Sequence, residues 1–313
     1  METPIVFFIF NRPEHTEKVF AAIRSARPKK LFVVADGPRH ERDRTTETRS
    51  MIHVDWPCEV ITNYSEQNLG CKKRISSGLD WVFSQVERAI IVEDDCLPDP
   101  TFFRFCEELL EKYKDDPQVM HIGGNFFQQK NKSFKTNSSY YFSKIPHIWG
   151  WATWRRAWNL YDIRIEKWPE YRQNNFLEDR FKNIGAYEYW SKVWDEYHAN
   201  KIDSWDGQWF FSCISHDGLC ITPTKNLVTN IGFGADATHT KKDNGGAAIT
   251  LEAISFPLTH PDKTIIDMYD DFTLRQNFGI DEKLFYRLVR PIKTRFPRFY
   301  QTVKDILLPF LGR

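Results

Sequence analysis

The sequence predicts an α/β protein built on a mostly parallel central sheet flanked by helices. Strand and helix patterns alternate through the first 125 residues, the strands are continuous apolar runs, and polar residues cluster where those runs end. Alternation with helical stretches of roughly 10–15 residues implies right-handed crossovers and parallel pairing. Apolar runs without a polar face suit strands buried on both sides.

In chain order, Ile5–Phe10 is the first such run, and Asn11 is placed to cap a helix with Glu14 as its capping-box partner. Leu31–Ala35 is a second strand, ending at Asp36-Gly37-Pro38, and Glu59–Thr62 a shorter third. Over Cys71–Val86 the apolar residues Ile75, Leu79, Val82, Phe83 and Val86 recur at helical spacing. Ala89–Val92 is a fourth strand, followed by Glu93-Asp94-Asp95. Asp99 and Pro100 then supply the cap and first-turn proline of a helix over Thr101–Tyr113. The second part is Trp- and Tyr-rich. It reads as helices over Ala152–Tyr161, Ala186–Ala199 and Gly207–Ser215, with short strands at Leu219–Thr222 and Leu227–Asn230. The expected organisation is a donor-binding half (1–125), a second half of the same domain (126–255) and a C-terminal extension (256–313).

Composition narrows the function classes. The 313 residues carry a net charge of +1, so no global field directs the chain to nucleic acid. The six cysteines form no CxxC pair or zinc spacing, and no leader or bilayer-spanning run is evident, which points to a reducing cytoplasm. The tail Leu284–Arg313 has seven basic residues and one acidic, giving it +6 and the remainder −5. Its cations alternate with Phe285, Leu288, Phe296, Phe299, Ile306 and Leu307. That suits peripheral contact with an anionic membrane as well as packing on the protein itself. Pro291, Pro297 and Pro309 break any long helix there.

Sheets of this type bind ligands beyond the carboxyl ends of their strands, and the motifs of the first half sit there. Glu93-Asp94-Asp95 places three carboxylates at the mouth of a buried strand. They repel one another unless a hard cation such as Mn²⁺ or Mg²⁺ joins them with substrate phosphates. A single acid there would merely start a loop. The helix near Cys71 opens with Lys72-Lys73-Arg74, cations where the macrodipole favours anions, so a bound anion would reconcile them. Lys73 is the donor-binding candidate among them; solvated surface charges are the alternative. Arg12 follows the first strand, where a diphosphate can lie. Asp36 reads as a turn residue or as an acceptor for a base or ribose. In the second half, Trp205-Asp206-Gly207-Gln208-Trp209 sets a carboxylate between indoles, which suits a general base, although Asp-Gly is also a turn pair. Trp151 reads as a sugar-stacking or a core residue. His239, in Thr238-His239-Thr240, reads as a metal or phosphate ligand or as an ordinary loop histidine.

In this order the motifs resemble the GT-A glycosyltransferases, and within them the inverting N-acetylglucosaminyltransferases that start N-glycan antennae, with their bacterial relatives. The likeness runs from about Pro4 to about Lys241. It implies a GT-A (Rossmann-like) nucleotide-diphospho-sugar transferase fold. Phe10-Asn11-Arg12-Pro13 is similar to the family's first-strand Asn-Arg, whose arginine meets the donor diphosphate, and Asp36 to its base-contacting acid. Val92-Glu93-Asp94-Asp95 resembles the Glu-Asp-Asp form of the DxD motif, in which the last aspartate holds the metal and the earlier acids touch ribose and sugar. Gly150-Trp151, Trp158, Lys167-Trp168-Pro169 and Trp205-Asp206 follow the family's order up to a catalytic aspartate, here Asp206. Gly232-Phe233-Gly234 and His239 are similar to the loop that closes over the donor. The family has two adjacent acids after the tryptophan where this chain has Asp206-Gly207, which keeps Asp203 and Asp217 as alternatives for the base.

The resemblance implies transfer of a sugar, with a divalent metal, to an acceptor hydroxyl; a glycan or lipid-linked acceptor in bacterial surface glycan synthesis suits the basic tail. Two other classes remain: a metal-dependent phosphoryl or nucleotidyl transferase, and a non-catalytic module binding a nucleotide-sugar or glycan. The first leaves the tryptophan-rich half and Asp206 without a role. The second would bind donor and metal without turnover.

Overall fold

A computed structural model of the chain describes residues 1–181, 183–232, 249–265 and 267–280. The first half runs β1 (Ile5–Ile9), α1 (Pro13–Ala26), β2 (Lys30–Ala35), α2 (Thr45–Ser50), β3 (Glu59–Tyr64), α3 (Cys71–Phe83), β4 (Arg88–Glu93), β5 (Cys96–Pro98), α4 (Pro100–Lys112) and β6 (Val119–Gly123). The second runs β7 (Tyr140–Ser143), β8 (Trp151–Trp154), α5 (Arg155–Trp158), α6 (Trp168–Gln173), α7 (Glu178–Phe181), α8 (Ile184–His198), α9 (Asp206–Ser215), β9 (Leu219–Pro223), β10 (Val228–Asn230) and α10 (Asp267–Phe278).

Eight strands form one sheet in the order β3-β2-β1-β4-β8-β6-β9-β7, and β10 pairs separately with β5. The expected α/β class, a large central sheet between helices, is what the chain adopts. Pairing is parallel from β3 to β4, as the alternating first half predicts. The remainder is mixed: β8 runs antiparallel between β4 and β6, and β7 closes antiparallel on β9.

Burial explains the apolar runs. Ile5, Phe7 and Ile9 enter the core that α1 and α4 cover, while Val6 and Phe8 enter the opposite core beneath α3, α5 and α9. Each residue of β1 thus meets a helix layer, and no polar alternation survives there. The tryptophans of the second half build a third core: Trp168, Trp190 and Trp194 pack with Phe210 and Phe211 among α6 to α9. Among the described residues, no helix is long and apolar enough to cross a membrane.

Two local expectations are corrected. The helix expected over Ala152–Tyr161 is strand β8 followed by the single turn α5, because Trp151 faces one core while Ala152 and Trp154 face the other, a two-residue period. Asn11 does not cap α1. Arg12 holds the cap position with its side chain turned to Asp95 rather than to the helix amides, and Asn11 Nδ2 donates instead to Asp43 Oδ1 at 2.7 Å. By contrast, Asp99 caps α4 through Thr101 N at 2.8 Å, with Pro100 in the first turn.

Candidate active site

Because β1, β2 and β4 are parallel neighbours, their carboxyl ends share one edge of the sheet. A cavity of about 410 Å³ opens there. Arg12, Asp36, Arg74 and the acids Glu93, Asp94 and Asp95 line one side; Trp149, Trp205, Asp203 and Asp206 come from the second half of the chain.

The three acids have different environments. Asp94 Oδ2 accepts from Phe10 N at 2.9 Å, which ties β4 to the end of β1. Burial, then the charge of Asp95, raises the Asp94 carboxyl to about 7 against the opposing pull of Arg12 and the Phe10 amide. Glu93 is raised well above the usual carboxylate range by burial and then by Asp95, Asp94 and Asp206. Asp95 Oδ2 receives Arg12 Nη1 at 2.8 Å, and the same nitrogen lies 3.9 Å from Asp94 Oδ1. Burial disfavours the Arg12 charge, yet Asp94 and Asp95 more than offset that, so its pKa is raised. One guanidinium faces three carboxyls, so the cluster can be fully ionised only with an excess of negative charge, which is why Glu93 and Asp94 hold their protons more tightly.

That excess, on a partly exposed Asp95 facing the cavity, fits a hard divalent cation sharing its shell with phosphate oxygens. Among the described residues no group of three or more His, Cys, Asp or Glu side chains is set to hold a metal ion, so a bound ion would take most of its ligands from the donor and solvent. Gly232 packs against Asp95: a Cβ there would stand 2.5 Å from Oδ2. His239, the other expected metal ligand, lies outside the described residues, as does the tail Leu284–Arg313.

Asp36 is buried and heavily engaged. Its oxygens accept from Gly37 N (2.9 Å), Leu69 N (2.9 Å), Gly70 N (3.1 Å) and Asn68 Nδ2 (3.1 Å). It therefore clasps the 68–70 loop to the end of β2, and burial raises its pKa despite those donors.

The cationic start of α3 is reconciled from within the chain. Gly70, at the cap position with φ +78°, has no side chain to accept the first amides. Asp203 does so from 132 residues away: its Oδ2 accepts Cys71 N at 3.2 Å and its Oδ1 accepts Lys72 N at 3.1 Å. The anion expected at this helix end is thus a carboxylate of the protein. Lys72 Nζ donates to Asn200 Oδ1. Lys73 is exposed and is not part of the lining; the cation of α3 that lines the cavity is Arg74. The helical row explains this: Arg74 lies one turn from Gly78, which packs on Phe8 and Val34, and two from buried Val82. Arg74 is 7% exposed and donates from Nη2 to Asn63 O and Oδ1, while its Nε has no partner among the described residues. Burial lowers its pKa.

Asp206 opens α9 at the facing wall. Its Oδ1 accepts from Tyr197 OH at 3.0 Å and from Ser204 Oγ. Asp203 spends its carboxylate on α3, and Asp217 pairs with Arg180 at 2.9 Å outside the lining. Trp151 is not a wall residue. It is fully buried, stacked on Trp205 (5.2 Å, 19°) and on His121 (5.3 Å, 19°), because the pleat of β8 turns it into the core. The indole at the cavity two residues earlier is Trp149.

No family model matches the chain, and no curated protein does. In chain path it is similar to the mannosyltransferase PcManGT from Pyrobaculum calidifontis, solved with GDP-Man and Mn²⁺. The TM-score is 0.35 and the identity 13%, over 49% of this chain and 45% of that one. It is similar also to S. aureus TarS 1-349, with TM-score 0.33 and 8% identity over 50% and 47%. That fragment with UDP-GlcNAc gives 0.30 and 10% over 44% and 38%. The chain spans less than half the length of each, and likeness at this level says nothing of substrate.

Proposed function

We propose that the protein is a metal-dependent, inverting glycosyltransferase that moves a sugar from a nucleotide-diphospho-sugar to an acceptor hydroxyl. One observation carries this reading: a single cavity is lined both by Arg12 with the Glu93-Asp94-Asp95 cluster and by a separate carboxylate from the second half of the chain, Asp206. Group transfer from a diphosphate needs both a polyanion site and a base on the other side of the reacting carbon.

In this reading Arg12 meets the diphosphate, and Arg74, which lines the cavity, lies on the nucleotide side of the donor. Asp36 shapes the wall through the 68–70 loop, and Glu93 and Asp94 face ribose and sugar. Asp95 would hold Mn²⁺ or Mg²⁺, which when bound neutralises charge on the leaving diphosphate. Asp206 takes the acceptor's proton. The acceptor oxygen bonds to the anomeric carbon as the bond to the diphosphate oxygen breaks, its electron pair leaving with the diphosphate. Trp149 offers a flat apolar face to the acceptor. A glycan or lipid-linked acceptor in bacterial surface glycan synthesis on the cytoplasmic side suits the basic tail. Vesicle sedimentation that is unchanged by removal of residues 284–313 would refute the membrane part.

The test compares wild type with Asp206→Asn, using UDP-GlcNAc and GDP-Man as donor probes with Mn²⁺ and measuring diphosphonucleoside release and binding separately. Turnover is lost and binding kept if Asp206 is the base. Wild-type turnover in the variant excludes it.

A further inference from the structure

Asp206 is held by an arrangement with no counterpart around the other acids of the cavity. Both hydroxyl donors, Tyr197 from α8 and Ser204 from the preceding loop, converge on the same oxygen, Oδ1. Among the described residues, nothing donates to Oδ2. The ring of Tyr197 lies directly over the next residue: a Cβ on Gly207 would stand 2.1 Å from its Cε2 and 2.4 Å from its Cζ. The Gly207 carbonyl is pinned by Trp194 Nε1 at 3.0 Å, and the Trp205 carbonyl by Tyr161 OH at 3.3 Å. Backbone and side chain of Asp206 are therefore fixed from both sides.

We propose that Tyr197 and Ser204 are positioning residues that commit Asp206 to a single reactive oxygen, Oδ2, and that Gly207 is required because Tyr197 fills the space of its side chain. The inference rests on Asp206 being the base. It accounts for glycine where the resembling family carries a second acid. Any side chain at 207 would push the Tyr197 hydroxyl off Oδ1, and the carboxylate would gain a rotational choice that a base acting on one hydroxyl cannot use.

The titratable groups around Asp206 are Glu93 from the end of β4, Cys71 at the start of α3, Tyr161 after α5 and Tyr197 on α8, with Asp203 on its own loop. Tyr197 is pushed above the ordinary phenol range by burial and then by Asp206, so it remains a donor across the working range.

The experiment has a structural and a kinetic arm. In the first, Tyr197→Phe, Asp206→Ala and the double variant of the full chain form a cycle read by urea denaturation. The two changes should be non-additive, the double variant losing less than the sum of the singles. Strict additivity overturns the proposal without touching the role of the base. In the second, Tyr197→Phe keeps the ring and should fold. With UDP-GlcNAc and GDP-Man as probes, kcat for the one turned over should fall about tenfold, the scale of one hydrogen bond to a charged group. Donor KM should hold, and Ser204→Ala should likewise lower kcat with donor KM unchanged. Wild-type kcat in Tyr197→Phe, beside an inactive Asp206→Asn, overturns the positioning role and leaves the base intact. An active Asp206→Asn overturns the base itself.

Discussion

Removing the Asp203 carboxylate should loosen α3 and disturb the site without abolishing donor binding. Asp203 accepts both Cys71 N (3.2 Å) and Lys72 N (3.1 Å) at a helix start whose own cap residue is Gly70. A side-chain cap contributes about 1 kcal/mol, within a range of roughly 0.5–2 kcal/mol. The carboxylate also complements a first turn crowded with Lys72, Lys73 and Arg74, although its exposure keeps that addition to a few tenths of a kcal/mol. Asp203→Ala should therefore cost about 1–1.5 kcal/mol, lowering Tm by roughly 2 °C for a chain of this size. Asp203→Asn keeps an acceptor oxygen and should lose less than half as much. Urea denaturation at low and high salt separates the parts, since salt should shrink only the charge component. Turnover should fall as well, because Asp203 ties the loop that carries Asp206 to α3. If Asp203→Ala unfolds at the wild-type urea midpoint, the cap is not made, and the account of the cationic helix start fails with it.

Asp270 gives a pH dependence of definite sign. It is buried, accepts from Ser143 Oγ (2.6 Å) and Lys144 N (3.0 Å), and burial raises its carboxyl to about 6 despite those donors. A raised carboxyl favours the folded state when protonated, so this contribution is complete below about pH 4 and lost as pH rises through about 6. Wild type minus Asp270→Asn, followed by Tm from pH 4 to 8, should fall by an amount worth about 1–3 kcal/mol; a flat difference refutes the shift. Trp151→Ala should cost about 3–5 kcal/mol as a core deletion, whereas Trp149→Ala should leave Tm within a few degrees and raise the acceptor KM. Equal thermal losses in the two would contradict their placement. Lys73→Ala should leave donor binding unchanged and Arg74→Met should weaken it, which isothermal titration with UDP or GDP and Mn²⁺ would read directly.

The first half was legible because β1, β2 and β4 are buried on both faces and their apolar runs leave little choice of fold. The ends of those strands could be placed for the same reason, which is how Arg12, Asp36 and the three acids were found on one edge. Strands β6 and β7 were not evident. Val119-Met120-His121 and Tyr140-Tyr141-Phe142 are short, mixed with polar or aromatic residues, and stabilised by partners distant in sequence. Trp151 was ambiguous because only the pleat of β8 decides which tryptophan meets the cavity. Arg74 was within reach of the sequence: its row runs through Gly78 and Val82, the buried face of α3, whereas Lys73 lies on a row with Ser77 and Trp81. The cap contributed by Asp203 could not be read at all, since it depends on closure of the chain across 132 residues, and the Tyr197–Asp206 bond depends on how α8 turns into α9.

The most direct test of the account is a thermal-shift comparison of UDP, GDP and their sugars, with and without Mn²⁺, on wild type and Asp95→Ala. A ligand at 100 times its Kd adds about 2.7 kcal/mol of stability. One nucleotide family should stabilise wild type only with the metal, and Asp95→Ala should lose that gain. Stabilisation independent of Mn²⁺ and of Asp95, or none from any nucleotide in a folded sample, would contradict a metal-dependent donor site at this cavity.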